Sequence, residues 1–330
     1  MDKRKKDHIE YAFESRMGPE DKDQRFIYEP MHGSHREARL EPVTFAGKTL
    51  RAPIWVSSMT GGTRQAYNIN RNLARVCKEF GLGMGLGSCR PLLKNNDHLE
   101  DFNVRSEIGE DLPLYANLGI AQIEHLVEAK QTDRIAELVA KLRADGLIIH
   151  VNPLQESLQP EGDRIEVPPS ETIQAFLEQS SFPVIVKEVG QGMGPESLRT
   201  LMSLPLAAIE LAGFGGTNFS RLELLRVGGT PEEFFMPLSR VGHTAEEMVE
   251  MINQTLEDIP KPGCQQIIVS GGIRTFPDGW YLINKLSLPA IYGQASSFLK
   301  FAAEGYEPLR IFVESQIRGL EIARAFLKVR

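Results

Sequence analysis

The sequence predicts a (β/α)8 barrel, a closed ring of eight parallel strands in which a helix follows each strand. Eight short apolar runs, rich in β-branched residues, recur along the chain, and helical patterns separate them. Most of the runs end roughly 25 to 36 residues apart, the length of one strand–helix unit. A doubly wound open sheet would alternate in the same way, and it stays the alternative, although no G-x-G-x-x-G follows the first strand.

Several predicted strands are apolar throughout, which is typical of strands covered on both faces of a parallel sheet. The predicted strands are Pro53–Ser57, Gly81–Leu86, Leu114–Asn117, Gly146–Val151, Pro183–Lys187, Ala207–Leu211, Gln266–Ser270 and Pro289–Gly293. The predicted helices are Asn68–Phe80, Ile120–Glu128, Thr132–Ala144, Ser170–Gln179, Glu196–Ser203, Ala245–Leu256 and Pro277–Leu286.

We expect one domain over residues 1–330: an N-terminal arm and hairpin (1–50), the TIM barrel (51–300) and a C-terminal helix (301–330). Ala46-Gly47-Lys48, between two β-rich triplets, predicts a hairpin that closes the barrel floor. The amphipathic pattern of Leu309–Arg330 predicts a terminal helix packed on the barrel. The Gly/Pro-rich stretch Val227–Gly242 predicts a loop over the barrel mouth.

The composition is that of an ordinary globular protein, with 42% apolar and 25% charged residues. A net charge of −7 argues against broad nucleic-acid binding, which leaves a basic footprint. No apolar run approaches the roughly 18 residues of a membrane span, and no apolar core follows the basic N-terminus. The three cysteines have no metal or disulfide spacing. We therefore expect a reduced, cytoplasmic protein.

Small or polar residues follow all eight predicted strands, at the barrel end that carries the active site. A glycine turn after one strand carries little information, because loops commonly need glycine. Eight such ends together indicate a ligand site rather than an inert mouth. They are Ser57–Gly62, Gly87–Arg90, Asn117–Gly119, His150–Glu156, Lys187–Gly190, Gly213–Asn218, Ser270–Arg274 and Gly293–Ser296.

Gly271-Gly272-Ile273-Arg274 is the most specific local signal. The loops after strands seven and eight of such barrels commonly bind phosphate with the help of a helix N-terminus. Paired glycines let backbone N–H groups approach the anion, and the helix dipole favours its charge. Ala295-Ser296-Ser297, which opens another helix, would complete this phosphate site.

Three charged segments each have an ordinary interpretation beside a functional one. Lys187 is costly to bury unpaired, so it either faces an electron-rich ring such as a flavin or pairs with Glu210. Gln155-Glu156 offers hard oxygen ligands for Mg²⁺ shared with a phosphate-bearing substrate, or is a solvated loop pair. The basic segment Arg4–His8 binds an anion or is a solvated tail.

In their order and spacing these segments resemble the type 2 isopentenyl diphosphate isomerases, which are FMN-dependent barrel enzymes. The likeness runs from Arg4 to about Leu299. Its specific pieces are Arg4-Lys5-x-Asp7-His8, Met59-Thr60-Gly61-Gly62, Gly87-Ser88-x-Arg90, Asn117-Leu118-Gly119, His150-x-Asn152-x-x-Gln155-Glu156, Pro160-Glu161-Gly162-Asp163, Lys187-Glu188-x-Gly190, Gly215-Gly216-Thr217 and Ser270-Gly271-Gly272-Ile273-Arg274.

The resemblance implies an isomerase that interconverts isopentenyl diphosphate and dimethylallyl diphosphate with reduced FMN and Mg²⁺, while NADPH serves only to reduce the flavin. The implied flavin contacts are Ser58, Met59, Thr60, Ser88, Asn117, Lys187 and Thr217, with the phosphate on Gly271, Gly272, Arg274, Ala295 and Ser296. The implied diphosphate contacts are Arg4, Lys5, His8, Arg90, His150 and Asn152. Glu156 would hold Mg²⁺, and Gln155 would be catalytic, beside the allylic carbons of the bound substrate. We also expect a homo-oligomer.

Three single positions and one three-residue segment depart from the family pattern. Cys89 stands where glutamine is usual, and Ala212 stands where a serine often touches the flavin. Glu210 replaces the usual aspartate, and Thr275-Phe276-Pro277 replaces a more glycine-rich continuation. These departures bear on the flavin contacts more than on the fold.

Two alternatives stay open. An FMN-dependent 2-hydroxy-acid oxidase or dehydrogenase needs a histidine base near the end of the strand before the phosphate loop, and Ala212–Asn218 contains no histidine. A non-catalytic FMN-binding barrel is compatible with Cys89 and Phe276 but leaves Gln155 and Glu156 without a role.

Overall fold

The computed structural model describes residues 2–36, 38–59, 61 and 64–330. Before the barrel lie helix α1 (Asp2–Tyr11), a 3-10 turn (Pro19–Asp21), strand β1 (Phe26–Tyr28) and the hairpin strands β2 (Val43–Phe45) and β3 (Lys48–Leu50). The hairpin turn is Ala46-Gly47, with φ angles of 48° and 77°. Two positive φ angles are what a two-residue hairpin turn needs to match the twist of its strands.

Eight parallel strands close into a barrel, in which each strand pairs with the next and the last pairs with the first. This confirms the predicted fold class. The strands are β4 (Ile54–Val56), β5 (Gly83–Gly85), β6 (Leu114–Gly119), β7 (Gly146–His150), β8 (Val184–Lys187), β9 (Ala208–Glu210), β10 (Ile267–Ser270) and β11 (Ala290–Gln294). Nearly all of their residues are buried, because helices cover the outer face of the sheet and side chains fill the interior.

The helices alternate with the strands, as the apolar periodicity predicts. They are α2 (Arg64–Phe80), α3 (Leu99–Phe102), α4 (Arg105–Ile108), α5 (Ile120–Glu128), α6 (Asp133–Lys141), α7 (Pro153–Leu158), α8 (Pro169–Leu177), α9 (Pro195–Ser203), α10 (Phe219–Val227), α11 (Gly229–Phe235), α12 (Ala245–Asp258), α13 (Phe276–Lys285), α14 (Ser296–Glu304) and α15 (Tyr306–Phe326), with 3-10 turns at Arg90–Leu93 and Met236–Arg240. None of the described helices has the length and apolar character needed to cross a membrane.

The β2–β3 hairpin covers the end of the barrel opposite the mouth. Phe45 and Trp55 are fully buried there, with ring centroids 5.4 Å apart, and Trp55 meets Tyr115 edge to face. Lys48 also anchors the hairpin, because its ammonium donates to the Asp145 carboxylate at 2.5 Å. The predicted floor is therefore present, and it leaves the opposite end for a ligand.

The predicted terminal helix is correct in kind but not in its bounds. Helix α15 ends at Phe326, and Leu327–Val329 forms strand β12, which pairs antiparallel with β1. A strand of three residues gains its stability from a partner distant in sequence, so no local pattern marks it.

The predicted loop over residues 227–242 is largely helical, which corrects that expectation. Gly228, at φ 66°, ends α10, and α11 begins at the next residue. The 3-10 turn Met236–Arg240 follows and carries Pro237 in its first turn. The glycine and proline residues that suggested a loop therefore lie at helix ends, where both are favoured.

Candidate functional site

A cavity of about 290 Å³ opens at the carboxyl ends of β8, β9, β10, β11 and β4. Ligand pockets commonly begin at about this size, roughly 300 Å³. Most residues proposed to contact the flavin line it together, although they come from five strand ends. They are Ser58, Met59, Lys187, Thr217, Gly271, Gly272, Arg274, Ala295 and Ser296.

Three proposed flavin contacts are not found in this lining. Thr60 lies outside the described residues. Asn117 is buried on β6, where its side-chain oxygen lies 2.7 Å from His150 Nδ1. Ser88 follows β5 and is half-buried. The structure therefore gathers the contacts expected from the β8–β11 and β4 ends but not those from β5 and β6.

The end of β10 has a backbone conformation that demands glycine. Gly271 has φ 91°, and a Cβ added to it would lie 2.0 Å from the backbone nitrogen of Gly213. Gly272, at φ 74°, lies against the backbone of Gly215. Residues 271–274, with Ala295–Ser297 at the start of α14, form what we call the glycine cup. Its backbone can approach an anion more closely than side chains would permit.

The start of α13, beside the glycine cup, is capped by its own carboxylate. Asp278 Oδ2 accepts from the backbone N–H groups of Arg274 at 3.0 Å and Thr275 at 2.8 Å. Burial opposes ionisation of Asp278, but the Arg25 guanidinium at 2.8 Å and these donors hold the pKa of the carboxyl below its usual value. An anion in the cup would therefore use the glycine amides and the first turn of α14.

Phe276, one of the departures from the family pattern, points away from the glycine cup. Its ring lies against Gly319 of α15, where an added Cβ would be 2.4 Å from Phe276 Cδ1. Gly319, on the terminal helix, therefore leaves the space that the Phe276 ring occupies. Its packing leaves the cup unobstructed.

Several buried polar atoms around the cavity have no hydrogen-bond partner among the residues that the structure describes. They are Ser58 Oγ, Gln294 Oε1 and Glu210 Oε2. The second Glu210 oxygen accepts from the Ser57 hydroxyl, whereas the Lys187 ammonium donates to the Glu188 carbonyl at 2.7 Å. No ion pair joins Lys187 to Glu210, although the two face each other in the β8–β9 register, so that ordinary interpretation of Lys187 is wrong. Buried polar atoms without partners are costly, which favours a polar ligand at this position.

A second group of polar side chains lies at the start of α7. Asn152 Nδ2 donates to Gln155 Oε1 at 3.1 Å and to Glu156 Oε1 at 2.9 Å. The other Glu156 oxygen accepts from Gln159 Nε2 at 2.6 Å and from the Asp163 N–H at 2.8 Å. We call Asn152, Gln155 and Glu156 the α7 cluster. The described residues include no group of three acidic, histidine or cysteine side chains that could by itself hold a metal.

His150 and Arg90 lie near this cluster but are already engaged. His150 Nδ1 contacts Asn117, and burial together with the nearby Lys187 charge lowers the pKa of His150 to about 3. Arg90 forms an ion pair with Asp163 at 2.9 Å. His150 is therefore neutral at physiological pH, and Arg90 supplies the cationic group at this end of the mouth.

The basic residues of the N-terminal arm are not assembled with the rest. Arg4, Lys5 and His8 lie exposed on α1. Within the described part of the chain, none of the three makes a hydrogen bond or ion pair with the barrel. The structure therefore brings together the cavity and the α7 cluster but not the arm.

Glu223 is a site residue that sequence reasoning missed. It is buried on α10 and accepts from Gln155 Nε2 at 3.2 Å and from Arg226 Nε at 2.7 Å. Only the packing of α10 over α7 reveals it, since no motif surrounds it. Asp163, which holds Arg90 and Gln122, did carry a signal, because it ends the quoted segment Pro160–Asp163.

Comparison with known proteins identifies relatives over most of the chain. No protein-family model matches the sequence. The isopentenyl-diphosphate delta-isomerase of Rickettsia rickettsii (strain Sheila Smith) is 36% identical over 320 residues, covering 95% of this chain and 89% of that protein. The protein of the same name from Deinococcus radiodurans is 38% identical over 288 residues, covering 87% of this chain and 80% of that protein.

Solved structures similar to this one are flavin-enzyme barrels. A flavocytochrome b2 variant with sulfite bound has a TM-score of 0.62 at 16% identity, covering 91% of this chain and 72% of its own. A mandelate oxidase mutant with a monooxide FMN adduct has a TM-score of 0.57 at 13% identity, covering 93% and 89% respectively. These likenesses support the barrel fold alone.

The sequence relatives carry the family assignment, because identity above one third extends over nearly the whole chain. This assignment agrees with the motif resemblance, whose described segments after the N-terminal arm follow the strands of one barrel. The chain belongs to the isopentenyl-diphosphate delta-isomerase family.

Proposed function

We propose that this protein interconverts isopentenyl diphosphate and dimethylallyl diphosphate, using reduced FMN and Mg²⁺. The observation that carries the proposal is the placement of two sites on one mouth. A cavity with a glycine cup lies on one side, and the α7 cluster of polar side chains lies on the other. Family membership supplies the reaction, and this arrangement supports it.

The cavity fits FMN by two features of its own. The glycine cup offers backbone donors and Arg274 for a phosphate. Beside it, Ser58 Oγ, Gln294 Oε1 and Glu210 Oε2 are buried without partners in the described part of the chain, and a flavin ring system carries both donors and acceptors. Lys187 would face the electron-rich end of the ring. When bound, reduced FMN would supply the acid–base chemistry of the double-bond shift.

The residues of the chain would bind and orient the substrate. An isoprenoid tail has no polar group for the protein to bind, so binding of the diphosphate must position the reacting carbons. Gln155 is oriented by two contacts: Asn152 donates to its oxygen, and its nitrogen donates to Glu223. These contacts hold the Gln155 side chain at the barrel mouth. Its amide carries no net charge, which suits an apolar allylic substrate.

Mg²⁺ fits the α7 cluster only when it is shared with the substrate. Glu156 is a single carboxylate among amide donors, and Mg²⁺ commonly binds one or two carboxylates together with substrate phosphates. We therefore propose that the cation arrives with the diphosphate. NADPH as reductant, cytoplasmic location and homo-oligomeric assembly belong to the same proposal.

The cavity argues against the 2-hydroxy-acid oxidase alternative. Among the described residues, no histidine lines it. His243, the nearest candidate after β9 in sequence, has its ring beside Gly194 instead. An oxidase would therefore lack its base in this site.

The test is an anaerobic isomerase assay with dithionite-reduced, FMN-loaded protein and Mg²⁺. Turnover of isopentenyl diphosphate is expected, and it should disappear when the flavin is oxidised. A protein that binds FMN but shows no turnover under these conditions would be a non-catalytic flavoprotein.

The α7 cluster allows the roles of its members to be separated. Glu156→Gln should lower activity, and excess Mg²⁺ should partly restore it, because the cation loses its carboxylate. Gln155→Ala should lower kcat without changing the Mg²⁺ dependence. Gln159→Ala is the matched control, since it removes one partner of Glu156 but leaves the charge. If Gln159→Ala reproduces the effect of Glu156→Gln, Glu156 orders the loop rather than the cation.

A further inference from the structure

Asp163 connects three parts of the barrel mouth that lie far apart in the sequence. Its carboxylate accepts from Arg90 Nη1 at 2.9 Å and from Arg90 Nη2 at 3.4 Å. The Oδ2 atom also accepts from Gln122 Nε2 at 2.8 Å. The backbone N–H of Asp163 donates to Glu156 Oε2 at 2.8 Å. One residue therefore joins the segment after β5, helix α5 and the α7 cluster.

The loop that carries Asp163 is held against α7 by close backbone contact. A Cβ added to Gly162 would lie 1.8 Å from the carbonyl oxygen of Glu156, so a larger residue would push the loop away. The Gly162 N–H also donates to the Gln159 carbonyl at 3.0 Å. The backbone therefore sets the position of Asp163 relative to Glu156, and a change in the Asp163 side chain should leave the loop in place.

Gln122 holds the Asp163 carboxylate in one direction. Its Oε1 atom accepts from the Gly119 N–H at 3.0 Å at the start of α5, while its Nε2 atom donates to Asp163. Both ends of this amide are therefore engaged within the protein. The carboxylate that receives Arg90 is ordered before any ligand binds.

The pairing with Asp163 leaves most of the Arg90 guanidinium available to a ligand. A guanidinium carries five N–H donors, and Asp163 takes two of them. Within the described part of the chain, the Arg90 side chain makes no other hydrogen bond. This side chain is 44% exposed, and an exposed arginine loses conformational freedom when it binds an anion. A partner that orders it in advance removes part of that cost.

We propose that Asp163 is a positioning residue of the diphosphate site, an inference that rests on the proposed function. Asp163 orients the Arg90 guanidinium and, through its loop, sets the spacing between Arg90 and Glu156. The free donors of Arg90 bind the diphosphate, while Glu156 binds the Mg²⁺ that arrives with it. Asp163 itself contacts neither the diphosphate nor the cation.

The negative charge of Asp163 allows positioning to be distinguished from simple electrostatics. A carboxylate near an anion site repels the anion, so neutralising it would strengthen diphosphate binding if charge alone mattered. Positioning predicts the opposite, because Asp163→Asn loses the charge-assisted pair that orders Arg90. We expect Asp163→Asn to weaken binding by about fivefold, roughly the effect of one hydrogen bond. Calorimetric titration of FMN-loaded protein with inorganic diphosphate and Mg²⁺ measures this.

Three further variants serve as controls in the same titration. Asp163→Glu keeps the charge and should bind diphosphate nearly as the wild type does. Glu161→Gln removes a carboxylate from the same loop, one that pairs with Arg226, and should leave the affinity unchanged. Asp163→Asn added to Arg90→Met should weaken binding no further than Arg90→Met alone, because Asp163 acts only through Arg90.

Kinetics on reduced enzyme supply a second readout. Asp163→Asn should raise the KM for substrate by about fivefold and leave kcat and the Mg²⁺ requirement unchanged. A raised Mg²⁺ requirement would overturn the inference, since Asp163 would then be a ligand of the cation.

The titration has outcomes that overturn the inference independently of turnover. They are diphosphate binding in Asp163→Asn that is unchanged or tighter, further weakening in the Arg90→Met background, and absence of diphosphate binding to the wild type. If the expected binding pattern appears but reduced wild-type protein shows no turnover, the isomerase proposal fails and the role of Asp163 in diphosphate binding stands.

Discussion

The two sides of the barrel mouth are built in different ways. The glycine cup is made of backbone, and its shape is set by positive φ angles and close chain approach at Gly271. The opposite side is made of side chains: Asn152 donates to both Gln155 and Glu156, while the basic N-terminal arm lies apart. The comparison teaches that the backbone site is complete in the protein alone, whereas the side-chain site is preformed only in part, because the basic residues of the arm are not yet beside it.

The largest expected effect is at the cup. Gly271→Ala should abolish FMN binding and lower the free energy of unfolding by about 3 kcal/mol or more, because the new Cβ overlaps the backbone of Gly213. Chemical denaturation and flavin fluorescence titration measure the two quantities.

Gly47→Ala is the control for that variant. Gly47 also has a positive φ, 77°, but no atom of a described residue lies within 4 Å of an added Cβ. It should lose only about 1 kcal/mol, the strain of the left-handed conformation. Equal losses in the two variants would show that close approach at Gly271 does not define the cup.

Arg274→Ala tests how much of the FMN affinity of the glycine cup comes from the guanidinium charge. One charged donor to the phosphate is lost, so FMN affinity should fall by about 1.5–3 kcal/mol, or roughly tenfold to a hundredfold. Arg199→Ala, on the outer helix α9, should leave FMN affinity unchanged. If Arg274→Ala binds FMN as the wild type does, the phosphate is held elsewhere.

Neutral variants of the N-terminal arm should weaken substrate binding but not FMN binding, the reverse of what is expected for Arg274→Ala. Neutralising Arg4 and Lys5 together removes two charged donors to the diphosphate, so the KM for substrate should rise by at least about tenfold while FMN binding stays nearly intact. Steady-state kinetics on reduced enzyme and a flavin titration give the two values. Loss of flavin affinity would instead make the arm part of the cofactor site, and the contrast between the two sides would disappear.

At physiological pH, the smallest effect concerns His150. Its pKa of about 3 lies below the usual 6.5, so the unfolded chain binds a proton there before the folded protein does. The free energy of unfolding should therefore fall as the pH drops from about 6.5 toward 3, and His150 contributes nothing above that window. NMR of labelled histidine should show a neutral ring at pH 5 and a raised pKa once diphosphate binds. A ring that titrates near 6.5 without ligand would contradict this.

Much of the fold could be predicted because its signals are local. Buried strands and amphipathic helices have distinct apolar patterns, and the Ala46-Gly47 hairpin carries its own turn chemistry. Strand β12 and the helical segment Gly229–Arg240 could not be predicted. The first depends on pairing with β1, and the second on packing around glycines that resemble loop residues.

The candidate site likewise has one part that the sequence predicts and one part that it does not. The glycine cup follows from Gly271 and Gly272, whose conformational demands are visible in the sequence. The contact of Gln155 with Glu223 joins residues from two distant helices, so it appears only when α10 packs over α7. The separation of Lys187 from Glu210 likewise reflects side-chain directions that strand register alone leaves open.

The pairing of β1 with β12 has a consequence for the order of synthesis. Phe26 pairs with Val329, so the β1–β12 ladder can form only after Leu327–Val329 has been synthesised. At the usual rate of translation, ~15–60 s pass between the emergence of the two strands. Strand β1 is therefore synthesised well before the strand that pairs with it.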